Sequence, residues 1–555
     1  MELFIACQLN LGKEALNYLE KQAVNVNYIG QHHFTALCLA CKNGLVDVVE
    51  KLIAIGADIE HITEFGETPL MLACRKGHEE IANKLIDIGA NVNVTDWEQN
   101  TPLINACRGK LPLVVKRLIE KGAHVNQANI LKSTPLMIAC ARNSIDTVNA
   151  LLFAGAHVNV HNVDEETPLT LACNQNGSLE IVKTLIEEGA DVNYVNKKRH
   201  HTPLSLACMN SATDISAALV RANANINYVD TYGKKTPLIW CAMQGKTSLV
   251  HLLLQRGANV NHVTADGNSA LTWACYMHYH DVIMILVQHG AYVNQVNANI
   301  ETPLTYACRS SIDDTALFLI KSGANVHFIN RDNETPLTIA CQHRLEKTAC
   351  QLVAHGANVN HITKNKKTPL ILACIRRLSH AAIDIIKKGA NVNRVDDENN
   401  SALIWSCARN LEQVTFQLLR HGAIVDTTNS SRHTAFFRAC VANNPRVALK
   451  LARVGAAVHL ESVVTMLSCN DAFIPVGRHL FFVRDMKISR NALKTHKMFL
   501  QRLAYEESWI RMSILLCANI HQKSALAMAI PDVCLKCLIE QMVKLYVENM
   551  HSDDK

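Results

Sequence analysis

The stretch Thr68-Pro69-Leu70-Met71-Leu72-Ala73-Cys74 decides the fold, because variants of it recur through most of the 555 residues. A Gly-Ala-x-Val-Asn phrase or a close variant follows nearly every copy, as at Gly89–Asn93. The Thr or Ser that opens each copy, here called the anchor, stands at positions 35, 68, 101, 134, 167, 202, 236, 269, 302, 335, 368, 401 and 434. Successive anchors are 33 residues apart, except for 35 from 167 to 202 and 34 from 202 to 236. A fixed period of this size predicts a stacked array of small units rather than one globular core.

The residues within one period predict two antiparallel helices and a projecting turn. Thr68 suits the N-cap of the first helix, and Pro69 suits its first turn, where a missing N–H costs nothing. A second apolar period at Ile81 and Leu85 predicts the second helix, which Gly89 can end by adopting a positive φ. Because no single unit can bury its own apolar face, the units must stack on one another.

The period and the Thr-Pro-Leu phrase resemble those of ankyrin repeats. The resemblance covers about residues 2 to 459 and implies an all-α ankyrin-repeat solenoid of about thirteen full helix-turn-helix units with short β-hairpin-like turns, preceded by a truncated repeat. The predicted domains are an N-terminal capping repeat (1–29), the repeat array (30–459) and a non-repeat helical C-terminal region (460–555). In one departure from the family, residues such as Met71, Ile104 and Thr170 stand where the family usually has His after Thr-Pro-Leu.

The 20 cysteines are interpreted as packing residues rather than as disulfide or metal-binding residues. Twelve of them stand six residues after an anchor: Cys41, Cys74, Cys107, Cys140, Cys173, Cys208, Cys275, Cys308, Cys341, Cys374, Cys407 and Cys440. Neighbouring helices lie about 8–10 Å apart, which is too far for a disulfide between them. Free Cys packs as a small hydrophobe, and so many unpaired thiols favour a reducing compartment, the cytoplasm, with the nucleus as an alternative.

Several classes of function are disfavoured by the sequence. No stretch of about 18 uninterrupted apolar residues appears, so we expect no membrane insertion. No metal-ligand motif, phosphate-binding loop or nucleophile elbow is present, so we expect neither enzyme activity nor a cofactor or metal. The net charge of +6 argues weakly for an anionic partner, although no motif specific for nucleic acids appears.

The ankyrin resemblance implies that protein partners bind along a concave surface formed by the turn tips and the ends of the first helices. The residues seven and eight after each anchor include eight basic residues and no acidic one, whereas the central copies carry Met and Tyr there. The two longer spacings add basic residues to two neighbouring turns, and Trp97 stands on another turn. Three further tryptophans four residues after an anchor, Trp240, Trp273 and Trp405, are predicted to lie in the core. The predicted partner-binding residues are Arg75, Trp97, Arg108, Arg142, Lys197, Lys198, Arg199, Met209, Tyr232, Lys234, Lys235, Met243, Tyr276, Met277, Arg309, Arg376 and Arg409.

Two interpretations of function follow from these features. The first is a non-catalytic scaffold that binds protein segments, including acidic or phosphorylated ones. The alternative is the substrate-recognition subunit of a cullin-type ubiquitin ligase, because the segment from Ile530 is weakly similar to the opening of an F-box. In that case the residues that recruit ligase subunits would be Ile530, Pro531, Leu535 and Leu538. A helix that caps the last repeat is the other interpretation of this segment.

Overall fold

The computed structural model describes residues 1–20, 25–174, 177–310 and 312–457, together with residue 476. Among these residues there are 28 α-helices and no β-strand, only three isolated bridges, as predicted for an all-α repeat fold. The helices are α1 Glu2–Gln8, α2 Gly12–Leu19, α3 Ala36–Asn43, α4 Val46–Ala54, α5 Pro69–Lys76, α6 Glu79–Asp87, α7 Pro102–Arg108, α8 Pro112–Glu120, α9 Pro135–Ala141, α10 Ile145–Phe153, α11 Pro168–Ala172, α12 Leu179–Glu187, α13 Pro203–Met209, α14 Thr213–Arg221, α15 Pro237–Met243, α16 Thr247–Gln255, α17 Ala270–Tyr276, α18 His280–Gln288, α19 Pro303–Arg309, α20 Asp313–Lys321, α21 Pro336–Gln342, α22 Glu346–Ala354, α23 Pro369–Arg376, α24 Ser379–Lys387, α25 Ala402–Ala408, α26 Glu412–Arg420, α27 Ala435–Val441 and α28 Pro445–Arg453.

The anchor residues start the first helix of each repeat, as predicted. In all thirteen repeats the anchor hydroxyl accepts a hydrogen bond from the backbone N–H three residues later. Where Thr or Ser replaces the family's usual His, as at Thr170, Ser205, Thr305 and Thr338, its hydroxyl also accepts from the anchor N–H. These reciprocal caps satisfy two helix-terminal N–H groups at once.

The Asn of the Gly-Ala-x-Val-Asn phrase joins many of the repeats to the next one. Asn93 donates from Nδ2 to the carbonyl of Gly122 at 3.0 Å and accepts through Oδ1 from the N–H of His124 at 2.9 Å. We call this pair of bonds an Asn staple. The same pair is made by Asn126, Asn159, Asn227, Asn261, Asn360 and Asn393.

The described helices fall into two compact units, Met1–Gln295 and Val296–Lys555, called unit 1 and unit 2. Within unit 1 the first helices pack side by side, α3 on α5 and α5 on α7, and the second helices pack likewise, α6 on α8 and α8 on α10. Unit 2 repeats this arrangement from α19 on α21 and α20 on α22 to α25 on α27 and α26 on α28. The loop between a second helix and the next anchor projects from each repeat, and we call it a finger.

The predicted cysteine ladder lies in the core. All twelve register cysteines are buried, and the sixteen cysteines within the described residues are free thiols. Burial in apolar surroundings raises the pKa of the thiols of Cys74, Cys107 and Cys407, to about 12 at Cys407. Thiols held in this protonated form are poor nucleophiles and metal ligands. No cluster of His, Cys, Asp and Glu suited to a metal occurs in the described ranges.

None of the helices described is both long and apolar enough to span a membrane.

Candidate functional site

Four large apolar side chains lie together at the ends of three consecutive first helices of unit 1. Met209, Met243 and Tyr276 are the last residues of α13, α15 and α17, which pack on one another in that order, and Met277 follows Tyr276. Met209, Tyr276 and Met277 are exposed and Met243 is half-buried. These four residues form what we call the apolar patch, and their exposure makes them available to a partner.

Two enlarged basic fingers precede α13 and α15, the helices that end in Met209 and Met243. In the first, Lys198 donates from Nζ to the carbonyl of Val163, and Arg199 lies 3.3 Å from a carboxylate oxygen of Glu166, while Lys197 is exposed. This finger is therefore fastened to the preceding one, and the ammonium group of Lys197 remains outside that network.

The second basic finger, 232–235, is held to helix α15 by Asp230. This carboxylate accepts from the N–H of Lys235 at 2.8 Å and from the indole N–H of Trp240 at 3.0 Å. The ammonium of Lys235 lies 4.1 Å from the centre of the Trp240 ring, a cation–π contact. Lys235 is thus engaged within the chain, whereas Tyr232 and Lys234 are exposed.

A family model for ankyrin repeats matches overlapping segments of the chain at residues 3–96, 37–129, 90–162, 136–230, 169–264, 238–330 and 304–396. These segments together span most of the chain. The chain belongs to the ankyrin repeat family. Among solved structures, the crystal structure of the human ASB11 ankyrin repeat domain is 30% identical, and the match covers 40% of this chain and 98% of that one with a TM-score of 0.35. No curated protein matches the chain.

The prediction that three tryptophans of the ankyrin repeats lie in the core is wrong. Trp240, Trp273 and Trp405 are all half-buried. The position four after the anchor lies beside the fingers, as the bonds from Trp240 to Asp230 and from Trp405 to Asp396, at 3.0 and 2.8 Å, show. The indole rings of Trp240 and Trp405 therefore pack in the repeat while their N–H groups face a finger carboxylate.

The basic residues seven and eight after the anchors are here called the basic row. Not all of them are free, because fingers supply acidic partners. Arg75 lies 2.7 Å from the carboxylate of Glu67, and Arg309 lies 2.9 Å from Glu301 and 3.0 Å from Glu334. All three glutamates directly precede an anchor, at the end of a finger. The inference of an acid-free face from residues seven and eight after the anchor therefore needs correction at Arg75 and Arg309.

The other basic residues of the row have different surroundings. Arg409 lies 5.5 Å from the Trp405 ring centre. Arg108, Arg142 and Arg376 form no ion pair with any carboxylate in the described parts of the chain, and Arg142 and Arg376 are exposed. These three arginines are thus the ones whose charge is available to a partner.

The buried carboxylates that precede two anchors of unit 1 differ in acidity. Burial raises the pKa of Glu67 above its ordinary value, and the nearby Arg75 only partly opposes this. Burial also acts to raise the pKa of Glu166, but the His201 imidazole, the Thr170 hydroxyl and Arg199 outweigh it, so the pKa is lowered. The folded structure therefore shifts the pKa values of two acids at the same place in the repeat in opposite directions.

The remaining predicted site residues fall into two groups. Trp97 lies on the tip of a finger and is exposed, as its turn position predicted. Ile530, Pro531, Leu535 and Leu538 lie outside the described residues, so the similarity of that segment to an F-box stays a prediction.

Proposed function

We propose that this ankyrin repeat protein is a non-catalytic scaffold that holds a segment of a partner protein against the apolar patch of unit 1. Ankyrin repeats are typically protein-interaction modules, and the occurrence of the patch and of two basic fingers in the same repeats is the observation that carries the proposal. Flexible Met side chains adapt to apolar partner residues, and Tyr276 adds a rigid aromatic contact. The unpaired thiols of the ladder are consistent with function in a reducing compartment.

Charge selects which segment binds. Lys197 and Lys234 are exposed on the fingers that precede α13 and α15, whereas Arg199 and Lys235 are engaged with Glu166 and Trp240. An acidic or phosphorylated residue flanking the apolar part of the partner would meet Lys197 and Lys234 without displacing an internal contact. We therefore propose a partner segment with an apolar centre and at least one acidic or phosphorylated flank.

Affinity purification with the full chain, followed by binding measurements with the recovered partner, tests this proposal. The variant Lys197→Glu/Lys234→Glu should weaken binding at least tenfold and flatten its dependence on salt, because screened charge pairs are lost. Lys116→Glu/Lys183→Glu, which makes the same charge change on exposed residues of α8 and α12, is the matched control.

The apolar contribution is tested separately with Met209→Ser/Met277→Ser. This variant should weaken binding without changing its salt dependence, since only apolar contact area is removed. Partners that bind all variants as tightly as the wild-type chain would refute the proposal.

The ubiquitin-ligase alternative requires its own test. If the C-terminal segment recruits ligase subunits, Leu535→Asp/Leu538→Asp in the full chain should lose cullin-complex subunits from the purification while keeping the partner that the repeats hold. Unchanged recovery, or an absence of such subunits from the wild-type sample, excludes that role.

A further inference from the structure

A second apolar surface lies on the finger tips of unit 1, away from the helix ends that form the apolar patch. Four large side chains on three successive fingers are exposed to solvent: Phe65 by 50%, Trp97 by 72%, Ile130 by 51% and Leu131 by 52%. We call these four residues the fingertip ridge. Exposed apolar side chains grouped in this way, rather than scattered singly, mark an interaction surface.

Backbone hydrogen bonds between fingers hold the ridge in place. The N–H of Trp97 donates to the carbonyl of Phe65 at 3.3 Å, and the N–H of Ile130 donates to that of Glu98 at 2.9 Å. A third bond of 2.9 Å joins Val163 of the next finger to Leu131. Each finger tip is thus fixed to its neighbour. Because the backbone of the ridge is already ordered, partner binding costs little conformational entropy there.

Local packing also orients the aromatic residues of the ridge. The His32 ring stacks on Phe65 with centroids 5.8 Å apart. The indole of Trp97 lies across Gly66, where an added Cβ would stand 2.6 Å from an indole carbon. Gly66 therefore permits the close approach of the indole to the finger that carries Phe65.

The charges around the ridge are mostly acidic. Glu64 and Glu98 stand on the finger tips of the ridge, together with Lys132. Asp164 and Glu165 stand on the next finger tip, where the ammonium of Lys198 donates to the carbonyl of Val163. Glu98 and Asp164 are exposed, and neither takes part in an ion pair within the described residues. The two fingers that follow along unit 1 are instead basic, with Lys197 and Lys234 exposed. The sign of the charge therefore changes along the row of fingers.

We infer that the fingertip ridge is a second docking surface, whose occupant is a protein segment with aromatic or aliphatic side chains and flanking Lys or Arg. The acidic surroundings attract such a segment and repel nucleic acid and anionic membranes. With repeats spaced about 8–10 Å apart, four fingers span roughly 30 Å. About nine extended residues at roughly 3.3 Å each cover that length.

Selection of peptides on the full chain tests this inference. A random library of displayed twelve-residue peptides is selected on the wild-type protein, with depletion on Phe65→Ala/Trp97→Ala, which retains the apolar patch and its basic fingers. The surviving peptides should carry apolar residues together with two or more Lys or Arg. Their measured affinity should fall at least tenfold on Phe65→Ala/Trp97→Ala and not on Phe153→Ala, a control that removes an aromatic side chain 97% exposed at the end of α10.

Charge provides a second readout in the same assay. Glu98→Lys/Asp164→Lys should weaken the selected peptides several-fold and reduce their salt dependence, whereas Lys197→Glu/Lys234→Glu should leave their affinity unchanged. The inference is overturned if no peptide survives depletion, if the survivors are acidic, or if Phe65→Ala/Trp97→Ala binds them as the wild-type chain does. Lys197→Glu/Lys234→Glu should weaken only the partner of the apolar patch, and Phe65→Ala/Trp97→Ala only the peptides of the ridge. The two proposals can therefore fail independently.

Discussion

Glu67 and Glu166 occupy the same place in two repeats, and neutralising them should have opposite effects on stability. Glu67→Gln is expected to raise the free energy of unfolding at pH 7 by up to about 1 kcal/mol, because burial of its charge outweighs its single ion pair with Arg75. Glu166→Gln is expected to lower it by about 1–2 kcal/mol, because His201 and Arg199 stabilise the charged form.

The pH dependence follows from the two pKa shifts. The raised pKa of Glu67 means that the folded chain holds this proton to higher pH than the unfolded chain, so its contribution to stability falls as pH rises between the two values. The lowered pKa of Glu166 reverses the sign: its contribution is present above the unfolded pKa and is lost as pH falls through the folded one. The difference between each variant and the wild-type chain should therefore shrink towards acidic pH.

Urea unfolding of the full chains, followed by circular dichroism at pH 4, 5.5 and 7, measures both effects. Arrays of repeats can unfold in stages, so the comparison uses the midpoint of the transition that each substitution shifts. The reasoning would be refuted if both variants shifted stability in the same direction at pH 7, or if Glu67→Gln lost more than about 1 kcal/mol, the amount at which its ion pair would outweigh its burial.

Three further outcomes test the local structure. Asn93→Ala removes both bonds of one Asn staple and should cost about 1–2 kcal/mol in urea unfolding, whereas a cost below roughly 0.3 kcal/mol would show the staple to be dispensable. Gly66→Ala should destabilise more than Gly89→Ala, because both have positive φ but only Gly66 faces an indole carbon, that of Trp97, at 2.6 Å; equal losses would contradict this. Burial and the raised pKa, about 12 at Cys407, predict that this thiol resists iodoacetamide at pH 8 until the chain is unfolded, as mass spectrometry can show, so fast labelling of the folded chain would be inconsistent with its place in the core.

The features that repeat in the sequence were the ones that could be predicted from it. The anchor caps and the cysteine ladder recur at fixed positions of the repeat. Because Thr or Ser caps the first helix at the anchor, the residue six positions later has a fixed place on that helix. Trp97 was likewise placed on a finger by its turn position alone. Periodicity therefore sufficed wherever a residue's surroundings are set by its own repeat.

Contacts between a finger and a helix were beyond such reasoning. The partner of Trp405 is Asp396, nine residues earlier in the preceding finger, and the partner of Arg75 is Glu67, eight residues earlier. No helix or strand period relates the two residues of either pair, because the chain changes direction at the anchor between them. The available signal for Arg75 was the acidic residue directly before an anchor, and for Trp405 the acidic residue five before one. The fingertip ridge could similarly have been predicted from the apolar residues of successive turns.

The bridge from Arg309 to Glu301 and Glu334 makes one joint of unit 2 depend on charge. The guanidinium of Arg309 fastens the finger that ends at Glu301 to the finger that ends at Glu334. An acidic ligand that captured Arg309 would leave two carboxylates facing each other without a counter-ion. An anion that binds tightly to Arg309 would therefore weaken this joint. The role of Arg309 is thus to hold neighbouring repeats together rather than to bind a ligand.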